Sequence, residues 1–218
     1  MTGKSRAFPL EEDERKKLQI HRVQRVDRSI PVVVPDEHEP DEPKTTETDT
    51  RESIKIQALL ARIGAEMGLS IWIPKNDRKG VLSEWKDGEI LDRLPLNYDE
   101  ITLQTIERID VLWLRRRSIV RAFEVEHTTA IYSGILRMAD LLALQPNMDI
   151  KLHLVAPEER RDKVLAEIQR PVFSLLDRAP LSEVCSFIGY DSVREIANIP
   201  HLQHVSDTLL DEYAEEVE

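Results

Sequence analysis

The sequence predicts an α/β fold, in which helices alternate with β-strands around one hydrophobic core. Two observations predict this class: apolar residues recur at helical spacing in several segments, and short apolar runs typical of strands lie between those segments. The chain has 218 residues, of which 41% are hydrophobic and 33% charged, so it can form one substantial core with terminal arms.

Composition predicts four consecutive segments. Residues 34–50 read VPDEHEPDEPKTTETDT, which is rich in proline and acids and has no large apolar residue after Val34, so we expect disorder there. Before it, residues 11–26 are expected to form a short helix, followed by an extended SIPVVV. The predicted organisation is an N-terminal arm, a disordered acidic linker, a folded domain and an acidic C-terminal tail, over residues 1–33, 34–51, 52–200 and 201–218 respectively.

Two segments of the chain are strongly acidic, whereas the region between them is nearly neutral. The net charge is −11, but residues 36–50 carry seven acids against one base, and residues 206–218 carry six acids and no base. Residues 51–205 hold 21 lysines and arginines against 23 acids. Because the acidity belongs to the ends, nucleic-acid binding by the middle is not excluded.

The sequence gives no sign of a membrane or export segment. No run approaches the roughly 18 apolar residues of a membrane-spanning helix. The N-terminus MTGKSRAFPLEEDERKK lacks the apolar region of a signal peptide. We therefore expect a soluble, cytoplasmic protein without a membrane partner.

The first half of the folded domain begins with a helix. In ESIKIQALLARIGAEMG the apolar residues recur at the spacing of an amphipathic helix, and Gly68 is placed to end it. LSIWIP then reads as a strand that stops at Pro74. Residues 78–98 are mixed and are expected to be largely loop, and ITLQTIE is expected to be a brief helix.

Two further strands, RIDVLWLR and SIVRAFEVE, are predicted to form a hairpin whose turn is residues 115–117. In this register Leu114 faces Ser118, and Asp110 faces Ala122. Since side chains alternate along a strand, three carboxylates then share one face of the hairpin. They belong to Asp110, Glu124 and Glu126, while Ile109, Val111, Phe123 and Val125 are expected to pack on the opposite face.

Three carboxylates confined together repel one another unless a cation is present. A hard divalent ion such as Mg²⁺ suits such a group because it takes oxygen ligands and keeps several waters. Glu124 and Glu126 would also suit the solvated face of an edge strand. Asp110, with its apolar neighbours, favours the metal site.

A helix is predicted to follow, with the sequence AIYSGILRMADLLAL. Thr129, Ser133 and Arg137 recur at every fourth position and form a polar stripe that starts beside Glu126, where it would contact a phosphate group. The alternative is an ordinary surface stripe with an ion pair between Arg137 and Asp140. DIKLHLVAP then predicts another strand, and PEERRDKVLAEIQRP another helix.

The continuous stretches IDVLWL, FEVEHTTAIYSGILRM and IKLHLVAPEERRDKVLAEIQRPVF resemble a prokaryotic branch of the PD-(D/E)xK restriction-endonuclease-like superfamily, with an ExE variant of its motif. The resemblance covers roughly residues 52–196. It implies a restriction-endonuclease-like core, with a mixed sheet of four or five strands flanked by helices. It also implies Mg²⁺-dependent hydrolysis of nucleic-acid phosphodiester bonds, with Mn²⁺ as a substitute metal.

The resemblance also assigns site residues. Asp110 and Glu124 match the metal-binding acids of the family, and the carbonyl group of Val125 is expected to add a ligand. Glu126 stands where the family usually has lysine, so it can accept a proton or bind metal but cannot donate positive charge. Glu66 matches an acid that some members direct toward the metal.

Two kinds of function follow from this resemblance. The first is a metal-dependent DNA endonuclease of prokaryotic restriction or phage defence, working as a homodimer or with partner subunits. The second is a non-catalytic, nuclease-like module that binds DNA or a protein within a larger defence complex. The chain contains no GxxxxGK[ST] sequence, so any ATP dependence would come from another chain.

Overall fold

The computed structural model describes residues 19–24, 29–34, 47–126, 131–144, 149–174, 176 and 179–216. The chain divides into two units between residues 42 and 43. In the first unit, β1 (Gln19–Gln24) pairs antiparallel with β2 (Ser29–Val34). The helix predicted over residues 11–26 is therefore wrong for residues 19–24, because strand pairing satisfies their backbone groups instead.

The second unit contains a mixed sheet of five strands, which confirms the predicted α/β class and the strand number. They are β3 (Ser70–Trp72), β4 (Val111–Arg115), β5 (Ser118–Val125), β6 (Lys151–Ala156) and β7 (Cys185–Gly189). Their order in the sheet is β3-β4-β5-β6-β7. The first three are antiparallel neighbours, and β5, β6 and β7 run parallel, so β5 lies at the centre.

The described part of the chain contains seven α-helices, and none of them is long and apolar enough to cross a membrane. They are α1 (Glu47–Glu66), α2 (Arg78–Glu84), α3 (Glu100–Ile106), α4 (Tyr132–Leu144), α5 (Arg161–Ile168), α6 (Pro171–Ser174) and α7 (Tyr190–Ile196). Two short 3₁₀ helices follow, over Leu202–His204 and Asp207–Glu212.

Two helix boundaries differ from the sequence expectation. Helix α1 begins at Glu47, so residues 47–51 are helical rather than disordered linker. Helix α2 occupies part of the stretch expected to be loop, and its Val81 is fully buried against the α1 side of the sheet. The second difference arises because packing of Val81 on the core outweighs weak local preferences. The predicted end of α1 is confirmed, since Gly68 has a φ of 79° just after it.

Helices cover both faces of the sheet, and each face has its own hydrophobic cluster. One cluster packs α4 and α5 against Leu112, Ala122 and Leu154. The other packs α1 and α7 against residues that alternate with these, including Phe123 and Val125. Consecutive residues of β5 therefore point to opposite layers, as a central strand requires. Ile109 belongs to the α4 side, contrary to expectation, because it precedes β4 and does not follow its alternation.

The hairpin of β4 and β5 is confirmed, but its register differs from the prediction. Arg115 pairs with Ser118, so the turn has two residues rather than three, and Arg116 adopts a left-handed conformation with a φ of 59°. An irregularity between Trp113 and Leu114 then shifts the pairing by one residue. Leu114 therefore faces Ile119, not Ser118.

This shift brings the predicted acids closer together. Val111 pairs with Phe123, so the next position outward places Asp110 level with Glu124 instead of Ala122. Directly opposite side chains on one face approach more closely than diagonal ones. The structure therefore strengthens the predicted neighbourhood of Asp110 and Glu124.

The acidic C-terminal segment is part of the folded domain and not a tail. It supplies Asp207 and Asp211, which both accept hydrogen bonds from the fully buried guanidinium group of Arg121, at 3.0 and 2.9 Å. Glu215 forms a backbone bridge with Phe187 of β7. A buried guanidinium requires such partners, which explains why these acids are ordered against the sheet.

The same arginine is linked to a buried histidine. Arg121 Nη1 donates to His153 Nε2 at 3.0 Å, and His153 Nδ1 donates to Ser186 Oγ at 2.8 Å. Burial, and then the positive charge of Arg121, lower the pKa of His153 to about 3, so the ring is neutral. The neutral ring can therefore accept a hydrogen bond from the arginine at Nε2. This network joins β5, β6 and β7 to the C-terminal segment.

The double substitution Asp207→Asn with Asp211→Asn is expected to destabilise the protein by about 3–5 kcal/mol, because it leaves Arg121 buried without a carboxylate. The free energy of unfolding, measured by urea denaturation, checks this. Asp191→Asn is the matched control: it removes an exposed ion pair with Arg194 and should change stability by less than about 1 kcal/mol. An equally small effect of the double substitution would contradict the structural role of the network.

Candidate active site

The candidate site lies at the end of the β4–β5 hairpin, in the layer that faces α4. Glu124 is fully buried in β5. Asp110 lies just before β4, and its Oδ2 accepts a hydrogen bond of 2.8 Å from the backbone N–H of Val125. This bond fixes the Asp110 carboxylate against the strand that carries Glu124. The two predicted metal-binding acids are therefore adjacent.

Arg137 of α4 occupies the space beside Glu124. Its Nε donates to Glu124 Oε1 at 2.8 Å and its Nη2 donates to Glu124 Oε2 at 2.6 Å. This is a two-bond contact between a guanidinium and a carboxylate, which is a strong form of ion pair. The Glu124 side chain is 0% exposed and the Arg137 side chain 30%, so the pair reaches from the core toward solvent. The alternative ion pair of Arg137 with Asp140 is not what the structure shows.

Glu126 contacts the beginning of α4. Its Oε1 accepts a hydrogen bond of 3.1 Å from the backbone N–H of Gly134, which is the third residue of that helix. The first N–H groups of a helix have no partner within it, so Glu126 caps the helix and also places a negative charge at its positive end.

Only a residue without a side chain fits at position 134. A Cβ atom there would lie 2.3 Å from Glu126 Oε1 and 3.2 Å from Glu124 Cβ. Gly134 therefore allows the helix backbone to approach both glutamates. On the other side, the hydroxyl group of Tyr190 donates to the backbone carbonyl of Glu126 at 3.0 Å. Tyr190 was not identified from the sequence, where nothing links it to β5.

Burial raises the pKa of Asp110 from 3.8 to about 6, against the opposing influence of the Arg137 guanidinium. The negative charge of Asp77 adds a smaller increase. Burial, and then the Asp110 carboxylate, raise the pKa of Glu124, and Arg137 opposes both. Burial alone would lower the pKa of Arg137. The carboxylates of Glu124, Asp110 and Glu126 outweigh this effect and raise the pKa above its ordinary value, so Arg137 stays charged.

The other predicted site residues are distributed as follows. Ser133 lies one turn before Arg137 on α4 and is half-buried. Thr129 lies outside the described residues. Glu66 is exposed near the end of α1 and pairs with Arg62 at 3.8 Å, and no described contact brings it to Glu124. Asp77, the residue before α2, is the additional acid whose charge reaches Asp110, and the sequence alone did not indicate it.

Within the described residues, no three His, Cys, Asp or Glu side chains are arranged so that they could hold a metal ion as they stand. Both oxygens of Glu124 are bonded to Arg137. The donors themselves suit a hard cation, since Asp110, Glu124 and Glu126 offer carboxylate oxygens. Asp110, Glu124 and the backbone carbonyl group of Val125 would supply oxygen ligands to such an ion if it bound here.

The sequence model of a protein family, described as the C-terminal domain of the type II restriction enzyme NmeDI, matches residues 32–217 of the chain. The chain belongs to this restriction-enzyme family. It is also similar to the type II restriction enzyme NmeDI of Neisseria meningitidis serogroup C, with 31% identity over 159 residues. The match covers 68% of this chain and 43% of that enzyme, so the chain spans less than half the length of its relative. No solved structure matches the chain.

Gly134→Ala is expected to destabilise the protein by about 1–3 kcal/mol, because the new methyl group displaces the Glu126 carboxylate from the helix terminus. Combining it with Glu126→Ala removes the carboxylate, so the added cost of alanine at position 134 should become smaller. Urea unfolding of the two single variants and the double variant measures this coupling. Strictly additive costs would show that Glu126 does not set the requirement for glycine.

Asp110 should make the metal-free protein less stable as pH rises. Its folded pKa of about 6 exceeds its ordinary value of 3.8, so the folded state binds the proton more tightly than the unfolded state. The stabilisation is present at low pH and is lost as pH rises through the folded pKa. Asp110→Asn cannot titrate, so its stability relative to wild type should increase between about pH 4 and about pH 6 and change little above about pH 7. Unfolding in EDTA checks this, and parallel pH profiles for the two proteins would contradict it.

Proposed function

We propose that the chain is the nuclease domain of a restriction endonuclease that hydrolyses DNA phosphodiester bonds with Mg²⁺, or with Mn²⁺ in its place. The observation that carries the proposal is the adjacency of Asp110 and Glu124 at the end of the central strand β5. Membership of a restriction-enzyme family supports DNA as the substrate. The mixed sheet with its acidic hairpin also supports a restriction-endonuclease-like core of the PD-(D/E)xK type.

Asp110, Glu124 and the Val125 carbonyl would hold the cation, which supplies positive charge to a phosphate and lowers the pKa of water. The protein contributes the arrangement of these ligands. The Val125 N–H holds Asp110 in place, and the buried position of Glu124 in β5 fixes the second acid. Rigid placement of charged groups in a water-poor site is the main way in which a protein promotes phosphoryl transfer.

Glu126 is proposed to accept the proton of the attacking water at its carboxylate. Its position is set from two sides, by the Gly134 N–H at the side chain and by the Tyr190 hydroxyl at the backbone. A glutamate cannot supply the positive charge that lysine gives at this position in the wider family. Arg137 of α4, which is paired with Glu124, is proposed to supply positive charge to the phosphate instead.

A restriction activity would place the protein in prokaryotic defence against phage. The similarity to NmeDI covers only part of that enzyme, so DNA recognition, a homodimer or partner defence subunits are proposals for the complete machinery. Ser133 and Arg137 on α4, with Thr129 ahead of them, are proposed to contact the DNA phosphate beside the cleavage site.

A second function is favoured by one observation. The two oxygens of Glu124 are bonded to Arg137 and a Glu126 oxygen caps α4, so the acids already have structural partners. A nuclease-like module that binds DNA or a partner protein without cutting it would have the same contacts. The two functions differ in metal binding and cleavage.

The proposed nuclease should convert supercoiled plasmid to nicked or linear DNA in Mg²⁺ or Mn²⁺, but not in EDTA. Asp110→Asn and Glu124→Gln are expected to reduce the initial rate by about 100-fold or more, because each removes a charged metal ligand. Gel electrophoresis over time measures the rates. Glu84→Gln, which changes an exposed acid of α2, is the matched control and should cut like wild type.

Cleavage that survives Asp110→Asn and Glu124→Gln would overturn the site assignment. Absence of both cleavage and Mn²⁺ binding in the wild type, with folding confirmed by circular dichroism, would favour the non-catalytic module. Glu126→Lys is informative as well. If Glu126 only accepts a proton, lysine in the usual family position should retain activity but change its pH profile.

A further inference from the structure

We propose that Arg137 is the resident counter-ion of the metal site, whose guanidinium occupies the place of the divalent cation in the metal-free protein and must leave Glu124 for the cation to bind. The inference rests on the proposed function and adds a determinant of metal affinity. It makes Arg137 a competitor of the metal as well as a phosphate contact.

The geometry of the ion pair carries the proposal. Arg137 bonds to both oxygens of Glu124, at 2.8 and 2.6 Å, so it occupies the lone pairs that these oxygens direct toward it. A divalent cation bound to the same carboxylate would be repelled by the guanidinium charge at close range. Arg137 also interacts electrostatically with Asp110 and Glu126, the other two acids of the site. Its guanidinium is therefore close enough for its charge to act on all three acids that a divalent cation would neutralise.

The energetics explain why a counter-ion is needed. Glu124 is fully buried, and a buried carboxylate without a positive partner destabilises a folded protein strongly. Arg137 supplies that partner when no metal is present. Binding of a cation then requires loss of this two-bond ion pair. The apparent affinity for the cation is therefore the intrinsic affinity multiplied by the fraction of molecules in which the pair is open.

The Arg137 side chain can also move from Glu124 toward solvent. Its side chain is 30% exposed, whereas that of Glu124 is 0% exposed, so the arginine can turn toward solvent while the glutamate remains in place. The long aliphatic part of an arginine side chain allows such movement without displacement of the helix backbone.

The test compares Mn²⁺ binding by wild type, Arg137→Met and Arg137→Lys, measured by isothermal titration calorimetry and by the Mn²⁺ signal in electron paramagnetic resonance. Methionine keeps the aliphatic volume but removes the competitor, so Kd should fall by about 10-fold or more. Lysine keeps the charge but cannot bond both oxygens in a planar fork, so its Kd should be intermediate. Arg161→Met is the matched control, since Arg161 pairs with Glu215 and not with Glu124.

Thermal unfolding gives a second readout that does not depend on cleavage. In EDTA, Arg137→Met should unfold at a lower temperature than wild type, because Glu124 loses its counter-ion. Saturating Mn²⁺ should raise the Tm of Arg137→Met by more than that of wild type. Arg161→Met should show the same Mn²⁺-induced shift as wild type.

The outcomes separate this inference from the proposed function. An equal or higher Kd for Mn²⁺ in Arg137→Met, with wild-type binding that Glu124→Gln abolishes, would overturn the counter-ion role and leave the metal site standing. Absence of Mn²⁺ binding in wild type and in both Arg137 variants would overturn both. If Arg137→Met does not fold, Arg137→Lys decides the question, because a Kd equal to that of wild type would contradict competition.

Discussion

The placement of a buried carboxylate in the central strand of the sheet is the constraint on which the rest of the site depends. Glu124 is fully buried in β5, between the two strands that flank it, and its charge requires a positive partner. Helix α4 supplies that partner through Arg137, and Gly134 lets the same helix approach closely enough. The position of α4 therefore follows from the charge of Glu124 as well as from apolar packing.

The local arrangement of the site was predictable because strand alternation is a strong rule. RIDVLWLR and SIVRAFEVE have a short basic turn between them, so the hairpin and the shared face of Asp110 and Glu124 followed directly. The register did not follow, because it depends on the left-handed conformation of Arg116 and on the irregularity at Trp113. Neither feature has a glycine or asparagine to mark it in the sequence.

Long-range charge partners were not predictable. Arg137 lay on a predicted polar stripe, but its bond to Glu124 depends on the exact distance between α4 and the sheet. Arg121 reads as a polar residue of an alternating strand, and its complete burial becomes visible only with Asp207 and Asp211 in place. The acids at 206–218 appeared to be a tail because composition reports charge without its partner.

The Arg121 network has a consequence for the way the protein folds. Arg121 meets Asp207 and Asp211 across separations of 86 and 90 residues, so its counter-charges are synthesised well after Arg121 itself. Contacts between residues so far apart form slowly, because a long loop must close first. The central strand therefore holds an uncompensated charge until Asp207 and Asp211 have been synthesised and have packed against it. This favours cooperative closure of the whole domain over stepwise folding during translation.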